Sequence, residues 1–412
     1  MEPDSSQSSQ QLMTDYSQSF LTSVQNHKEN AKTRIEECVL AIIDSITARQ
    51  FPTIIRPRLL TSAKEMRKAA NNPNLATKIT FGGRSSRSFT MQVYIMSLVY
   101  RMIQQNQSST IRDLFYENMN FFGNQSRVVN ALREVSLFLK VPREALCVEA
   151  SAKGLVAGSI SFRNPNGEVI QAMDFRHGMI VPNKLHDLTI TTNARCVLFV
   201  EKDAIFQRLL DEGIFEVLGS IIMITGKGYP DYQTRRLMSI LNRIYQLKVY
   251  ALVDCDPYGI EIAAVVKWGS YINSNAIGDD MWACDLSVPD LVWLGLLPSE
   301  VSSLSLTLNA SAELNDRDRK KLESVHARIG LYEEQDQNPW LQEVNILKEL
   351  GRKTELEALF ASSMFTTRVY LPSKLLPVLS QRDNNRYFAR SVNRRNGSSV
   401  AGSSPRSNIS FA

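Results

Sequence analysis

Apolar residues recur at helical spacing in the first third of the chain and form nearly unbroken runs after residue 190. The stripe of isoleucine and valine residues from Ile35 to Ile46 predicts an N-terminal helix, since residues three or four apart share one helix face. Residues 1–30, before that stripe, are rich in serine, glutamine and asparagine, which is typical of disorder. Prolines in the segment 51–60 end the helix, and polar loops follow up to about residue 87.

Three helices and short strands are predicted between residues 90 and 163. The first helix runs from Met91 to Gln105, the second follows a cap at Ser109 or Thr110, and the third covers 126–140. Short strands are expected near 146–150 and 160–162. Helix, helix, turn, helix and β-ribbon is the order of a winged-helix module, which places a helix in the major groove of DNA, although other small α+β units have the same order.

Strands and helices alternate after residue 190. The apolar runs Arg195–Val200 and Lys248–Val253 predict buried strands, with Val217–Ile224 as a less regular candidate between them. Helices are expected after each strand, so the order predicts a parallel, doubly wound sheet of the α/β class. Ligands bind outside the carboxyl ends of such strands, which is where the chain carries Glu201, Asp254 and Asp256.

Composition and charge narrow the class of protein. The chain has 412 residues, 43% apolar and 22% charged, as in ordinary globular proteins. No run approaches the roughly 20 apolar residues of a membrane span, and the polar N-terminus has no signal-peptide core. The five cysteines are widely spaced, which predicts reduced thiols in an intracellular protein. The net charge of +5 is concentrated in the arginine-rich segment 381–412, predicted to be a disordered basic tail with affinity for polyanions.

Three acidic residues indicate a metal site. Asp254 and Asp256 lie two positions apart at the end of a strand, so an extended backbone points both side chains the same way, and Glu201 follows an earlier predicted strand. Clustered anions repel unless a cation binds them, and carboxylate oxygens without histidine or cysteine suit Mg²⁺, with Mn²⁺ as the alternative. A DxD pair by itself also serves as a helix cap. The four histidines form no zinc-ligand set, and no P-loop motif is present.

An arginine and a tyrosine form a second candidate site. Arg112 and Tyr116 lie four residues apart on the second predicted helix, so a guanidinium can sit beside a phenol oxygen. Tyrosine is a poor nucleophile until its anion is stabilised, and a fixed positive charge also suits the phosphate that it would attack. A helical arginine next to a packed tyrosine is the structural alternative.

These sites and their order resemble the A-subunit family of topoisomerase VI, in particular its eukaryotic branch of meiotic transesterases that make DNA double-strand breaks. The resemblance extends through most of the chain, except about 30 residues at each end. The matching segments are RSSRSF (84–89), IRDLFYENMNFFGNQ (111–125), SAKGLVAG (151–158), VEKDAIF (200–206), TGKGYPD (225–231), LVDCDPYGIEI (252–262), WLGLLPSE (293–300), KTELEAL (353–359) and YLPSKL (370–375).

The resemblance implies a fold and a domain order. It implies an α/β protein in which a winged-helix (CAP-like) domain is followed by a toprim domain with a doubly wound parallel sheet. We therefore predict the following units: a disordered N-terminus at 1–30, a partner-binding helix at 31–62, a winged-helix domain with the catalytic tyrosine at 63–165, a toprim metal-binding domain at 185–380 and a basic disordered tail at 381–412.

The resemblance also implies residue roles. Tyr116 matches the nucleophile and Arg112 the family's essential arginine, and family members often have two adjacent tyrosines where this chain has Phe115 and Tyr116. Glu201, Asp254 and Asp256 match the Mg²⁺ ligands, whereas Cys255 departs from the small or aromatic residue usual between the aspartates. Lys153 matches a DNA-facing basic position, and Lys227 is a further DNA-contact candidate.

The implied function is a topoisomerase-like transesterase that makes DNA double-strand breaks initiating meiotic recombination. Tyr116 would become linked to a 5′ end of duplex DNA, and the active site would be shared between two protomers of a homodimer. A B-type ATPase-like subunit would dock on the N-terminal helix, other recombination-initiation proteins would assist, and the protein would act on chromosomes in the nucleus, not at a membrane.

Three other functions stay open at this point. A true topoisomerase VI A subunit would reseal the DNA that it cuts. A toprim nuclease would use water and never become linked to DNA, and a scaffold would bind DNA without chemistry. The RSSRSF and FFGNQ segments favour the meiotic branch, and the intact tyrosine, arginine and three acids speak against a scaffold.

Overall fold

A computed structural model of the chain describes residues 5–57, 65, 76–149, 152–269, 286–301, 303–304, 311–332, 338–362 and 364–380. Within these ranges the chain forms a mixed six-stranded sheet, four smaller sheets and helices around them. The basic tail predicted at 381–412 and the thiol of Cys284 lie outside the described residues. No helix within them is long and apolar enough to cross a bilayer.

Strands and helices occur throughout the described chain. The strands are β1 Thr53–Pro57, β2 Ala76–Thr80, β3 Ser109–Thr110, β4 Val148–Glu149, β5 Leu155–Gly158, β6 Ile160–Arg163, β7 Val169–Gln171, β8 Met179–Ile180, β9 Thr189–Thr192, β10 Cys196–Val200, β11 Ile222–Thr225, β12 Lys248–Leu252, β13 Val292–Gly295, β14 Ser311–Glu313 and β15 Arg352–Thr354. The α-helices are Ser5–Thr47, Ser86–Gln105, Ile111–Glu117, Met119–Phe122, Gln125–Leu139, Asp203–Asp211, Ile214–Leu218, Tyr232–Arg243, Pro257–Trp268, Pro298–Val301, Asp316–Ile329 and Pro339–Leu350.

The largest sheet confirms the α/β class and corrects one detail. Its strand order is β13-β12-β10-β11-β5-β8. Strands β10 to β13 pair in parallel, β5 pairs antiparallel with β11, and β8 pairs antiparallel with β5, so the sheet is mixed. After β10 the chain adds β11 on one side and then returns past β10 to add β12 on the other. In α/β folds, ligands bind at the carboxyl ends of the parallel strands where the strand order reverses in this way.

The strand β5 lies within the range expected for the winged-helix domain, yet it pairs with β11 of the large sheet. All four of its residues are buried, because they face the sheet's core rather than solvent. The strands β6, β7 and β9 form a separate antiparallel sheet.

A second hydrophobic core belongs to the helices between residues 86 and 139. The helix Ser86–Gln105 packs on Gln125–Leu139, and the short helix Ile111–Glu117 packs against the same partner. Fully buried side chains such as Phe122 and Val128 lie at their centre. The three helices predicted in this region are all present, with ends within a few residues of the expected ones.

The N-terminal helix is longer than predicted. We expected residues 1–30 to be disordered, but one helix runs from Ser5 to Thr47. Met13 and Phe20 are buried, and Tyr16 is partly buried with them. These residues recur at helical spacing, which is the apolar signal that the polar composition concealed. Residues 1–4 lie outside the described part.

Candidate active site

The helix Ile111–Glu117 presents the candidate nucleophile to solvent. Of the two predicted caps, Ser109 and Thr110, it is Thr110 that caps this helix, since its hydroxyl accepts a hydrogen bond from the backbone N–H of Asp113 at 3.1 Å. Leu114 is buried and fixes the helix on the helical core. Tyr116 is 58% exposed, so its hydroxyl is accessible to a large substrate.

Arg112 lies on the same short helix and is also exposed. Within the described chain, neither Arg112 nor Tyr116 forms a hydrogen bond or ion pair; the ring of Tyr116 contacts Phe115, with centroids 5.5 Å apart. An exposed guanidinium and an exposed phenol with no internal partner are available to an anionic ligand.

Glu201 and Asp254 are in direct contact at the carboxyl ends of β10 and β12. The Glu201 carboxylate accepts a hydrogen bond from the backbone N–H of Asp254 at 2.9 Å. The Asp254 carboxylate in turn accepts one from the backbone N–H of Leu356 at 2.9 Å. Both acids are almost completely buried, at 7% and 6% exposure. The parallel pairing of β10 with β12 therefore brings two of the three predicted ligands together.

Asp256 begins the helix Pro257–Trp268. Its Oδ1 atom accepts hydrogen bonds from the backbone N–H groups of Tyr258 and Gly259, at 2.9 and 2.6 Å. A side chain at Gly259 would not fit, because its Cβ would lie 2.5 Å from the carbonyl oxygen of Asp254 and 3.0 Å from Glu201 Oε2. The helix therefore begins directly against the acidic pair. In the described chain Asp256 Oδ2 has no hydrogen bond, so this oxygen remains available to a ligand.

Lys202 is a site residue that sequence reasoning missed. Its ammonium lies 2.9 Å from Asp254 Oδ2, 2.7 Å from a carboxylate oxygen of Glu357 and 3.3 Å from one of Glu355. Burial lowers the pKa of Lys202, but its hydrogen bonds to Glu357 and Asp254 outweigh that effect and raise the pKa. The sequence did offer a clue to this contact: Lys202 lies in the segment VEKDAIF, and Glu355 and Glu357 lie in KTELEAL, and both segments are among those that resemble the family.

The acids are held in unfavourable surroundings. Burial, with the charge of Asp254 as a second cause, raises the pKa of Glu201 to about 8. Burial also raises the pKa of Asp254 to about 6, even though Lys202 opposes the shift. The pKa of Asp256 is likewise raised by burial. Such a cluster gains stability from any cation that binds it.

These residues fit a hard divalent cation, although the described residues form no group of three or more acids, histidines or cysteines already arranged around one metal position. Instead of sharing one metal position, the three carboxylates have separate partners: Glu201 bonds to a backbone amide, Asp254 to Lys202, and Asp256 to a helix terminus. The Lys202 ammonium already supplies positive charge to Asp254. All the donors are oxygens, which is the set that Mg²⁺ prefers.

Both predicted DNA-contact lysines lie beside this cluster. Lys153 Nζ donates a hydrogen bond to the backbone carbonyl of Lys227 at 3.2 Å, and Lys227 Nζ lies 3.1 Å from Asp203 Oδ2. The residue after Lys227 contacts the cluster directly, since the backbone N–H of Gly228 donates a hydrogen bond to the carbonyl oxygen of Glu201 at 2.9 Å. The two lysines thus form a basic rim at the edge of the acidic pair.

The two candidate sites belong to different hydrophobic cores. No hydrogen bond, ion pair or ring contact in the described chain joins Tyr116 or Arg112 to Glu201, Asp254 or Asp256. The tyrosine helix belongs to the helical core, and the acids belong to the sheet core. A reaction that uses both sites needs a substrate to bridge them or a second protomer.

Two family models match this chain, one over the region with the acidic cluster and one over the region with the tyrosine helix. Residues 196–375 match the family model for the Toprim domain of Spo11 and the topoisomerase 6 A subunits, and residues 87–148 match the one described as Type IIB DNA topoisomerase. The first match covers the acidic cluster, and the second covers Arg112 and Tyr116.

Individual relatives align over most of the chain. Meiotic recombination protein SPO11 of Homo sapiens is 38% identical over 294 residues, which cover 71% of this chain and 72% of that protein. Meiotic recombination protein SPO11-1 of Oryza sativa is 31% identical over 355 residues, covering 83% and 91%. The A subunit of DNA topoisomerase 6 from Arabidopsis thaliana is 31% identical over 357 residues, covering 84% and 80%.

Proposed function

This chain belongs to the family of Spo11 and the topoisomerase 6 A subunits, which are DNA-cleaving transesterases, and from that premise we propose that Tyr116 is its nucleophile. It acts as a topoisomerase-like enzyme that makes DNA double-strand breaks initiating meiotic recombination, the process for which its human and rice relatives are named. The observation that carries the proposal is the exposed Tyr116 beside an exposed Arg112, on a helix capped by Thr110.

The reaction is a transfer of one phosphodiester bond to tyrosine. The Tyr116 oxygen attacks the phosphorus of a DNA phosphodiester and loses its proton to solvent or a nearby base. The new O–P bond forms as the bond to the 3′ oxygen breaks, and that oxygen takes up a proton. The protein remains linked to the 5′ end. Arg112 stabilises the charge that develops on the phosphoryl oxygens.

Glu201, Asp254 and Asp256 would hold Mg²⁺. Bound there, the cation would supply charge stabilisation to phosphate oxygens of the DNA. Lys202 keeps Asp254 paired when no cation is present, which holds the acidic pair in place at the strand ends. Lys153 and Lys227 form the basic rim that would contact the DNA backbone.

The placement of the two sites on different hydrophobic cores, with no direct contact between them in the described chain, supports a shared active site. We infer that the helical unit is a winged-helix domain, that the large sheet is the doubly wound core of the toprim domain, and that Tyr116 of one protomer faces the acids of its partner. A two-fold dimer of this kind has two equivalent sites and cuts both strands.

Exposed apolar residues on the second half of the N-terminal helix are evidence for a binding partner there. Ile35 is buried against the helical core, whereas Leu40, Ile43 and Ile46 are 61%, 51% and 60% exposed. Contiguous exposed apolar residues mark interaction surfaces. A B-type subunit that docks an apolar face on this stripe would explain them, and chromosome-bound recombination proteins in the nucleus complete the proposed setting.

Capture of the covalent product tests the function. The protein is incubated with duplex DNA and Mg²⁺, denatured, and the DNA ends are analysed together with the peptide attached to them. We expect blocked 5′ ends, free 3′-hydroxyl ends and a DNA-linked peptide containing Tyr116. Broken DNA without attached protein would indicate a nuclease, and binding without breaks would indicate a scaffold. Loss of breaks on cation removal before denaturation would indicate resealing, the topoisomerase VI alternative.

A further inference from the structure

The helix that carries Tyr116 is short, and Tyr116 lies close to its end. The helix Ile111–Glu117 has seven residues, and Tyr116 is the one before the last. The carbonyl groups in the last turn of an α-helix have no partner within the helix, and such turns fray unless other groups hold them. Tyr116 itself is 58% exposed and forms no hydrogen bond in the described chain. The position of its hydroxyl therefore depends on how the last turn is held.

Asn118 holds that turn from its C-terminal side. An uninterrupted α-helix would bond the backbone N–H of residue 118 to the carbonyl oxygen of Leu114, four residues earlier. The N–H of Asn118 instead bonds the carbonyl oxygen of Phe115 at 3.1 Å, where the backbone leaves the helix with φ −129°. The side-chain amide replaces the missing bond, since its Nδ2 atom donates to the Leu114 carbonyl oxygen at 3.0 Å. Asn118 thus closes the turn that contains Tyr116.

Tyr94 holds the side-chain amide of Asn118. Tyr94 belongs to the helix Ser86–Gln105, and its hydroxyl donates a hydrogen bond to Asn118 Oδ1 at 2.5 Å. Both hydrogen bonds of the amide require the same orientation, with its oxygen towards Tyr94 and its nitrogen towards Leu114. Without the Tyr94 hydroxyl, the amide is free to rotate away from Leu114.

The ring of Tyr94 is anchored independently of its hydroxyl. It lies against Phe121 and Phe122, with ring centroids 4.6 and 6.0 Å away, and Phe122 is fully buried. Aromatic packing of this kind does not require the hydroxyl. Leu114 is buried as well, and Thr110 caps the other end of the short helix. Removal of the hydroxyl should therefore loosen the last turn of that helix and leave the rest of the helical core in place.

We propose that Asn118 and Tyr94 are positioning residues for the nucleophile. Their hydrogen bonds hold the last turn so that the Tyr116 oxygen approaches the phosphorus in line with the leaving 3′ oxygen. Rates depend steeply on such alignment, and a misplacement of about 1 Å can slow a reaction about 100-fold. This inference rests on the proposed function, because the two residues have this task only if Tyr116 is the nucleophile.

Single-turnover kinetics of the full chain with saturating duplex DNA and Mg²⁺ test the proposal, with DNA-linked protein measured over time. Tyr94→Phe and Asn118→Ala should each slow adduct formation by about tenfold or more, because the nucleophile is less often aligned. The dissociation constant for duplex DNA should stay within about twofold of that of the unmodified protein, since the loss concerns the transition state alone. A merely structural role would instead lower the folded fraction, and with it the final amount of adduct rather than its rate.

Tyr100→Phe is the matched control. It removes a tyrosine hydroxyl from the same helix Ser86–Gln105, but that hydroxyl bonds Glu36 and not the turn at Tyr116. Neither the rate nor the dissociation constant should change. Hydrogen exchange gives a readout that needs no cleavage: the amides of residues 115–118 should exchange faster in Tyr94→Phe and normally in the control, and those of residues 128–136 should exchange normally in both.

A double variant tests whether Tyr94 acts through Asn118. In Asn118→Ala the Tyr94 hydroxyl has lost the group that it holds, so adding Tyr94→Phe should slow the reaction by no more than about twofold further. If the effects of the two changes multiply, Tyr94 acts by another route and the inference is wrong. If circular dichroism shows that Asn118→Ala does not fold, Tyr94→Phe decides the matter, since it keeps the ring and its packing.

Adduct formation by Tyr94→Phe at the unmodified rate, or unchanged exchange at residues 115–118, would also overturn the inference. Failure of the proposed function gives a different result, because the unmodified protein then forms no adduct through Tyr116. In that case the function and the positioning role are both wrong. If only the positioning role is wrong, the unmodified protein and Tyr94→Phe form the Tyr116 adduct equally fast.

Discussion

The carboxylate of Glu201 accepts a hydrogen bond from the backbone N–H of Asp254, 2.9 Å away across two adjacent parallel strands. One predicted ligand thus fixes the backbone of the other. A change at Glu201 alters both the charge of the cluster and the position of the loop that contains Asp254. This coupling decides how variants of the acidic cluster should be interpreted.

Removal of the Tyr116 hydroxyl should abolish DNA cleavage and leave folding unchanged. Tyr116→Phe keeps the ring, and the exposed hydroxyl has no partner in the described chain, so thermal stability should change by less than about 0.5 kcal/mol. Duplex binding should persist. Tyr100→Phe is the matched control, since it removes a hydroxyl that bonds Glu36 and should retain cleavage. A covalent adduct formed by Tyr116→Phe would show that another residue is the nucleophile.

Neutral substitutions in the acidic cluster should weaken Mg²⁺ binding. Asp254→Asn and Glu201→Gln each remove one negative ligand while keeping the shape of the side chain, so cleavage should fall with them. Calorimetry of Mg²⁺ binding measures the effect directly. Asp211→Asn, an exposed acid on the helix just after the cluster, is the control and should bind Mg²⁺ normally. Equal Mg²⁺ affinity in all four proteins would refute the ligand assignment.

The raised pKa of Glu201 predicts a pH dependence of stability. The pKa of this carboxyl is 4.5 in the unfolded chain and about 8 in the folded protein. Between these two pH values the folded state therefore keeps a proton that the unfolded state has lost. The stability contributed by this group is complete below pH 4.5 and is lost as the pH rises through about 8. Without divalent cations, the melting temperature of the unmodified protein should therefore fall more steeply with rising pH, up to about pH 8, than that of Glu201→Gln. Parallel melting curves for the two proteins would contradict the prediction, and Mg²⁺ should reduce the decline at high pH.

Mixing two inactive variants tests the shared site. If Tyr116 acts on a phosphate held by its partner's acids, a heterodimer of Tyr116→Phe and Asp254→Asn has one site with both defects and one with neither. It should nick one strand, whereas each homodimer should do nothing. Co-expression followed by detection of 5′-linked nicks measures this. If heterodimers form and no nicks exceed the homodimer background, each site lies within one protomer.

Much of the fold follows from local patterns. The strands β10 and β12 were predicted because buried parallel strands have unbroken apolar runs. The helix around Tyr116 was predicted from a cap at Ser109 or Thr110, and Thr110 is the cap. The strand β5 was not predicted and its residues fell within the predicted winged-helix domain, because a four-residue apolar segment does not reveal its partner, and β11 lies more than 60 residues later in the chain.

Some residues of the candidate sites could likewise be predicted from the sequence, and others could not. The three acids could be predicted because each follows a recognisable apolar strand, and the carboxyl ends of parallel strands meet at one edge of a sheet. Lys202 was missed since its partners Glu355 and Glu357 lie about 150 residues away and only the fold brings them together. The N-terminal half of the first helix was predicted to be disordered from its polar composition, although a sparse stripe from Met13 to Phe20 was enough to dock it.

The single helix Ser5–Thr47 has Met13 buried in the core of the sheet unit and Ile35 buried in the core of the helical unit. An α-helix turns by about 100° and advances about 1.5 Å with each residue. One residue inserted between these two anchors would rotate one of them out of phase with its core, whereas seven would nearly restore the phase and add about 10 Å. Because the added length would itself move one anchor away from its core, the two cores together fix both the phase and the number of residues between Met13 and Ile35.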